Sequence, residues 1–158
     1  MASIINADTS DGLKITSDTS GQIDFQSAGS TKALIDTSGN LKFNSGYGSV
    51  VTAYGCRAWV SFNGTGTVAI LNSGNVSSIT DNAAGKYTVN FATAMPDDDY
   101  SVSGTVQDTT SGAGSNSPSV TIQDATSSIT TSTLIINVVT GNGSTFLDSP
   151  FVSVQIIR

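Results

Sequence analysis

From residue 56 onward, apolar and polar positions alternate in short runs separated by turn-forming clusters. Eight runs carry this pattern: CRAWVSF (56–62), TVAIL (67–71), VSSIT (76–80), KYTVNFA (86–92), YSVSGTV (100–106), SVTIQ (119–123), LIINVV (134–139) and FVSVQII (151–157). A period of two predicts half-buried strands. It assigns Cys56, Ala58, Val60 and Phe62 to one inward face, Tyr87, Val89 and Phe91 to a second, and Tyr100, Val102 and Val106 to a third. NGTG (63–66) is a strong hairpin signal. NSGN (72–75), DNAAG (81–85) and TAMPDDD (93–99) read as connections, and 107–117 as the longest exposed loop. About eight strands at this spacing predict an antiparallel β-sandwich or barrel over residues 50–158.

The first 45 residues follow another rhythm. DTSDGLKI (8–15), DTSGQIDF (18–25) and IDTSGNLKF (35–43) each run Asp-Thr-Ser, turn residues, then apolar–polar–apolar. The apolar pairs are Leu13/Ile15, Ile23/Phe25 and Leu41/Phe43, with Ala33 and Ile35 forming a degenerate unit between the last two. One turn and one short strand per unit is the expected structure. Two apolar side chains per strand cannot offset a backbone ordering cost of roughly 1–2 kcal/mol per residue, so each unit needs burial against something else. Three identical chains around one axis would pool these pairs into a narrow core. The six paired residues Leu13, Ile15, Ile23, Phe25, Leu41 and Phe43 are therefore candidate interface positions, and residues 1–45 a β-repeat stalk or attachment region. The alternative is a loose Ser/Thr-rich leader. The cluster at 44–50 marks the expected boundary.

Composition strengthens the all-β reading. All twelve acidic residues are Asp. Asp, Ser, Thr, Asn and Gly compete with helices, while Val, Ile, Thr and aromatics suit strands. A net charge of −6, with six scattered basic residues, argues against nucleic acid or an anionic membrane surface as a partner. No apolar run approaches the roughly 18 residues a membrane helix needs. The start MASIINADTSDG lacks a basic stretch followed by an apolar core, so synthesis in a cytoplasm without a secretory signal is expected. The sequons at Asn63, Asn75 and Asn142 are then incidental.

Candidate chemistry is sparse. The single cysteine, Cys56, excludes an intrachain disulfide, and the absence of His leaves it without a base, so a buried inert thiol is expected. Trp59 and Arg57 fall on the opposite face of the same strand. Aromatic and Arg residues are enriched in interfaces, which makes both candidate interface residues; stacking of Trp59 on a sugar ring is the second reading. Asp97, Asp98 and Asp99 form the densest charge cluster and offer the oxygen ligands Ca²⁺ prefers. Side chains adjacent on an extended run diverge, however, so a solvated connection is the first expectation. No catalytic residue, cofactor or metal is expected. A polysaccharide depolymerase would need two carboxylates, one with a raised pKa, and no Asp lies inside an apolar run that would raise it.

Two stretches resemble known proteins. ALIDTSGNLKF is similar to the Ile-Asp-x-Ser-Gly-Asn repeats of phage tail fibres. FNGTGT with SSITDNAAGKYTVNFATAMPDDDYSV resembles a C-terminal domain of phage fibre and virion structural proteins, in which a Gly-Tyr-Thr-Val-Asn-Phe strand precedes an Ala-Met-Pro-Asp loop and a Tyr-x-Val strand. The opening MASIINAD and GLKITSDTSG resemble the start of small structural proteins of marine phages. The resemblance implies a virion protein that is non-enzymatic and homotrimeric. Neighbouring tail or capsid proteins are the expected partners, and two roles compete: recognition of a host-surface glycan or protein through the C-terminal loops, or a purely architectural one. A repeat section confined to residues 8–43 suits a short fibre or tip, with a capsid decoration protein anchored by its N-terminal segment as the alternative.

Overall fold

A computed structural model describes residues 20–44, 49–108, 117–123, 127–141 and 143–158. Among these there is no helix. Twelve strands form three antiparallel four-stranded sheets, and the chain divides into two compact units between Ala53 and Tyr54.

The first unit is a meander of β1 (Ile23–Ser27), β2 (Ser30–Ile35), β3 (Leu41–Phe43) and β4 (Val51–Thr52). Val51 and Thr52 pair with Phe43 and Lys42, which carries this unit past the expected boundary cluster. In the copy at 35–43 the phrase is a turn with a carboxylate at its centre. Asp36 Oδ1 accepts from the Ser38 and Asn40 backbone N–H groups, both at 2.9 Å. Its Oδ2 meets Lys42 Nζ, also at 2.9 Å. Lys42 first, and then the Asn40 N–H, hold the Asp36 carboxyl well below the usual carboxylate range. Gly39 closes this turn at φ +81°, and Gly21, its counterpart in the preceding DTSG phrase, sits at φ +74°. Both lie in the left-handed region that glycine enters without strain. The copy at 8–15 lies outside the described residues.

The second unit contains the other eight strands: β5 (Cys56–Asn63), β6 (Ala69–Gly74), β7 (Val76–Ala83), β8 (Lys86–Phe91), β9 (Ser101–Val106), β10 (Ser119–Ile122), β11 (Thr133–Val139) and β12 (Val152–Ile157). One sheet has the order β10-β11-β8-β7 and the other β6-β5-β12-β9. Their facing sides build one core. Val60, Phe62, Tyr87, Val89, Leu134, Ile136, Val138, Val152 and Ile156 are fully buried in it. Phe62 meets Tyr87 edge-on at 5.0 Å and Phe91 meets Tyr100 edge-on at 6.0 Å, a favoured aromatic geometry. This is the sandwich predicted from the alternation.

Three local expectations are corrected. Cys56 is exposed, not inward. Ala58 pairs with Ile156 and Cys56 with Ile157, so Arg57 is an extra residue in β5; the bulge breaks the alternation there and turns Cys56 off the core face. NSGN is not a loop: β6 runs through Gly74, and Asn75 alone, at φ 56°, carries the chain from one sheet to the other. Asn75 tolerates that conformation because its side chain bonds Thr93 twice, accepting from its N–H at 2.8 Å and donating to its carbonyl at 3.0 Å. DNAAG likewise shrinks to a two-residue turn, Ala84–Gly85, because β7 continues to Ala83.

A polar clamp ties the 140–150 segment to the core. Tyr87 donates to Asp148 Oδ1 at 2.8 Å, the same oxygen that accepts from the Gly85 N–H at 2.7 Å, and the Gly64 carbonyl lies 3.1 Å from the phenol oxygen. Burial first, and then the Asp148 carboxylate, push the Tyr87 phenol far above the ordinary tyrosine range.

Candidate functional site

Cross-strand register decides what each face presents. In the first unit Ile23 pairs with Ile35, and Ile35 with Leu41; Phe25 pairs with Ala33, Ala33 with Phe43, and Phe43 with Val51. Residues directly opposite one another share a face. All seven apolar side chains therefore project from one side of this sheet. Most of that side is exposed: Phe25 is 47 % exposed, Leu41 53 %, Phe43 43 % and Val51 53 %, while Ile23 and Ala33 are half-buried. The reverse side carries Asp24, Lys42 and Thr52, with Leu34 among them. The structure thus brings Ile23, Phe25, Leu41 and Phe43 together. Leu13 and Ile15 lie outside the described residues.

In the second unit Cys56, Ile157 and Ser101 form one outward row of the β6-β5-β12-β9 sheet, with Ile157 38 % exposed, and two further rows follow. Gly74, Trp59, Gln155 and Ser103 stand in one; Asn72, Ser61, Ser153 and Thr105 stand in the next. Trp59 is 39 % exposed. Gln155 Nε2 donates to Ser103 Oγ at 2.8 Å. Ser103, Gly104, Thr105, Ser153 and Gln155 line a shallow groove of about 290 Å³. Arg57 is exposed at the β5 bulge, two residues from Trp59.

The three aspartates do not converge. Asp97 Oδ1 accepts from the Asp99 N–H at 3.1 Å, while its Oδ2 pairs with the Arg158 guanidinium. Arg158 first, and then the Asp99 N–H, hold the Asp97 carboxyl below its ordinary value. Among the described residues no group of three metal-ligating side chains gathers. Asp99 instead lines a second dent of about 230 Å³ with Tyr54, Ser101, Ile157 and Arg158. The Asp97–Arg158 pair spans 61 residues, and no local sequence signal announces it. The 107–117 and 140–150 loops lie partly outside the described residues; within the second, Asp148 and Ser149 serve the core, since Ser149 donates to the Gln107 carbonyl at 2.9 Å.

No protein family, curated protein or solved structure matches the chain.

Proposed function

We propose that this chain is a non-enzymatic structural protein of a virion, a short fibre or tip that assembles as a homotrimer. The observation that carries the proposal is the exposed apolar face of the β1–β4 sheet. Of its seven aligned apolar side chains, Phe25, Ile35, Leu41, Phe43 and Val51 stand exposed, and self-association through such a face is the simplest way to remove it from water. Covering the exposed half of each large side chain stabilises the assembly by on the order of 1 kcal/mol apiece. The D-T-S-G turns support the same reading, because they repeat the unit that presents the face. The tail-fibre resemblance of ALIDTSGNLKF covers this sheet, and that of KYTVNFATAMPDDDYSV covers β8 to β9.

Light scattering on the full chain tests the assembly. A mass three times that of one chain is expected; a single-chain mass overturns the trimer. Immunogold labelling of particles that carry the protein tests its place. Label at the tail is expected, whereas label over the head shell would overturn the fibre reading in favour of capsid decoration.

A further inference from the structure

We propose that the outer face of the β6-β5-β12-β9 sheet binds a neutral saccharide, with Trp59 stacking against one ring and the Gln155–Ser103 groove receiving hydroxyl groups of the next.

Three independent features of the face point to this ligand class. The first is the indole. Trp59 stands over Gly74, where any side chain would collide with it: a Cβ on Gly74 would lie 2.9 Å from Trp59 Cδ1. The missing side chain holds open the space the ring occupies, so a large apolar surface is kept at the sheet surface rather than in the core. Such a ring presents a flat face to C–H groups, and its N–H edge is the part packed over Gly74.

The second feature is the company the ring keeps. Across β5, β6, β9 and β12 the sole charged residue is Arg57. The indole's own row and the row on its Ser61 side carry amides and hydroxyls, Gln155, Ser103, Ser61, Ser153, Thr105 and Asn72, while the row on its other side holds Cys56, Ile157 and Ser101. A phosphorylated or carboxylated ligand finds no cluster of cations here. A protein partner would want an apolar patch on every side of the aromatic anchor, whereas the Trp59 row continues as Gln155 and Ser103 and the apolar Ile157 is confined to one adjoining row. Neutral hydroxyls are the groups this surface can satisfy, by donating and accepting in turn.

The third feature is scale. Neighbouring strands are about 4.8 Å apart, which is the width of one pyranose ring. Trp59 on β5 and Ser103 on β9 are two strand intervals apart, with Gln155 between them. The indole and the 290 Å³ groove therefore offer two adjoining places in one line, the span of a disaccharide. This site lies wholly in the second unit and stands whether or not the chain trimerises.

Trp59 is the chain's sole tryptophan, so its emission reports on this site alone. Full-length protein titrated with lactose, cellobiose, maltose and N,N′-diacetylchitobiose should show a saturable change in emission with at least one of them at up to about 10 mM. By calorimetry, Trp59→Ala should abolish that binding while keeping a cooperative thermal transition, and Gln155→Ala should weaken it about tenfold. If Trp59→Ala fails to fold, Gln155→Ala and Trp59→Phe carry the test. Silence with all four sugars overturns the proposal, as does a response to glucuronic acid alone. Should Trp59→Ala lower the assembly mass while no sugar binds, the indole is a subunit-interface anchor and the site does not exist. The mass of the wild-type chain, measured separately, keeps this outcome apart from failure of the trimer.

Discussion

Trp59 stands opposite Gly74 across the β5–β6 hairpin, and the space it fills exists because Gly74 has no side chain. Gly74 does not adopt a left-handed conformation, so alanine is acceptable to the backbone there and only the contact is at stake. Gly74→Ala should displace the indole, shift its emission and weaken any ligand that stacks on it, with little effect on the denaturation midpoint. A fluorescence spectrum beside an unfolding curve checks both halves.

The exposed apolar face of the first unit makes a different prediction. Phe43 lies in the middle of that face, between Ala33 and Val51, and remains 43 % exposed. Phe43→Asp puts a charge where the assembly requires apolar contact. Sedimentation should show the mass fall to that of one chain, while the sandwich core, which Phe43 does not enter, keeps its thermal transition. An unchanged mass would place the contact elsewhere.

Acid should act on the same unit through Asp36. Its folded-state pKa lies below the unfolded value, so its contribution is present in full above the ordinary carboxylate range near 4 and is lost as pH falls below that. The Ser38 and Asn40 amide signals should move in step with protonation of Asp36 as pH is lowered. Asp36→Asn should remove that titration and loosen the turn at neutral pH.

Base should act on the sandwich. Tyr87 and Tyr100 both have phenols raised by burial, Tyr87 the more strongly. A raised folded pKa stabilises fully below the unfolded value, near 10, and that stability is lost as pH rises past it. The urea midpoint should therefore fall steeply above about pH 10. Tyr87→Phe should flatten this dependence. It should also destabilise the protein at pH 7 by about 1–3 kcal/mol, because Asp148 loses the phenol donor.

What could be read from sequence was what is local. KYTVNF and FVSVQII alternate without interruption, and the structure buries Tyr87, Val89 and Phe91, and Val152, Val154 and Ile156. The Asp-Thr-Ser phrases announced a turn, and the one described in full, at Asp36, has it, with a carboxylate as its chemistry. Cys56 misled because a bulge is fixed by the partner strand, and β12 begins 96 residues beyond Cys56. Asn75 misled because a cluster of turn-forming residues gives no sign that one of them suffices. The groove beside Trp59 was beyond reach for a related reason. Gln155 and Ser103 meet only because β12 enters between β5 and β9, and strand order is a property of the whole domain, not of any run of residues.

That insertion has a consequence for how the molecule is made. β12 is the shared neighbour of β5 and β9, so until residues 152–157 have left the ribosome β5 waits with one backbone edge unpaired and β9 with no strand partner. Until then the nascent chain holds Ala58, Val60 and Phe62 ready to face a core whose central strand has not arrived. Chains stalled before Val152 are the ones whose open strand edges chaperones must shield.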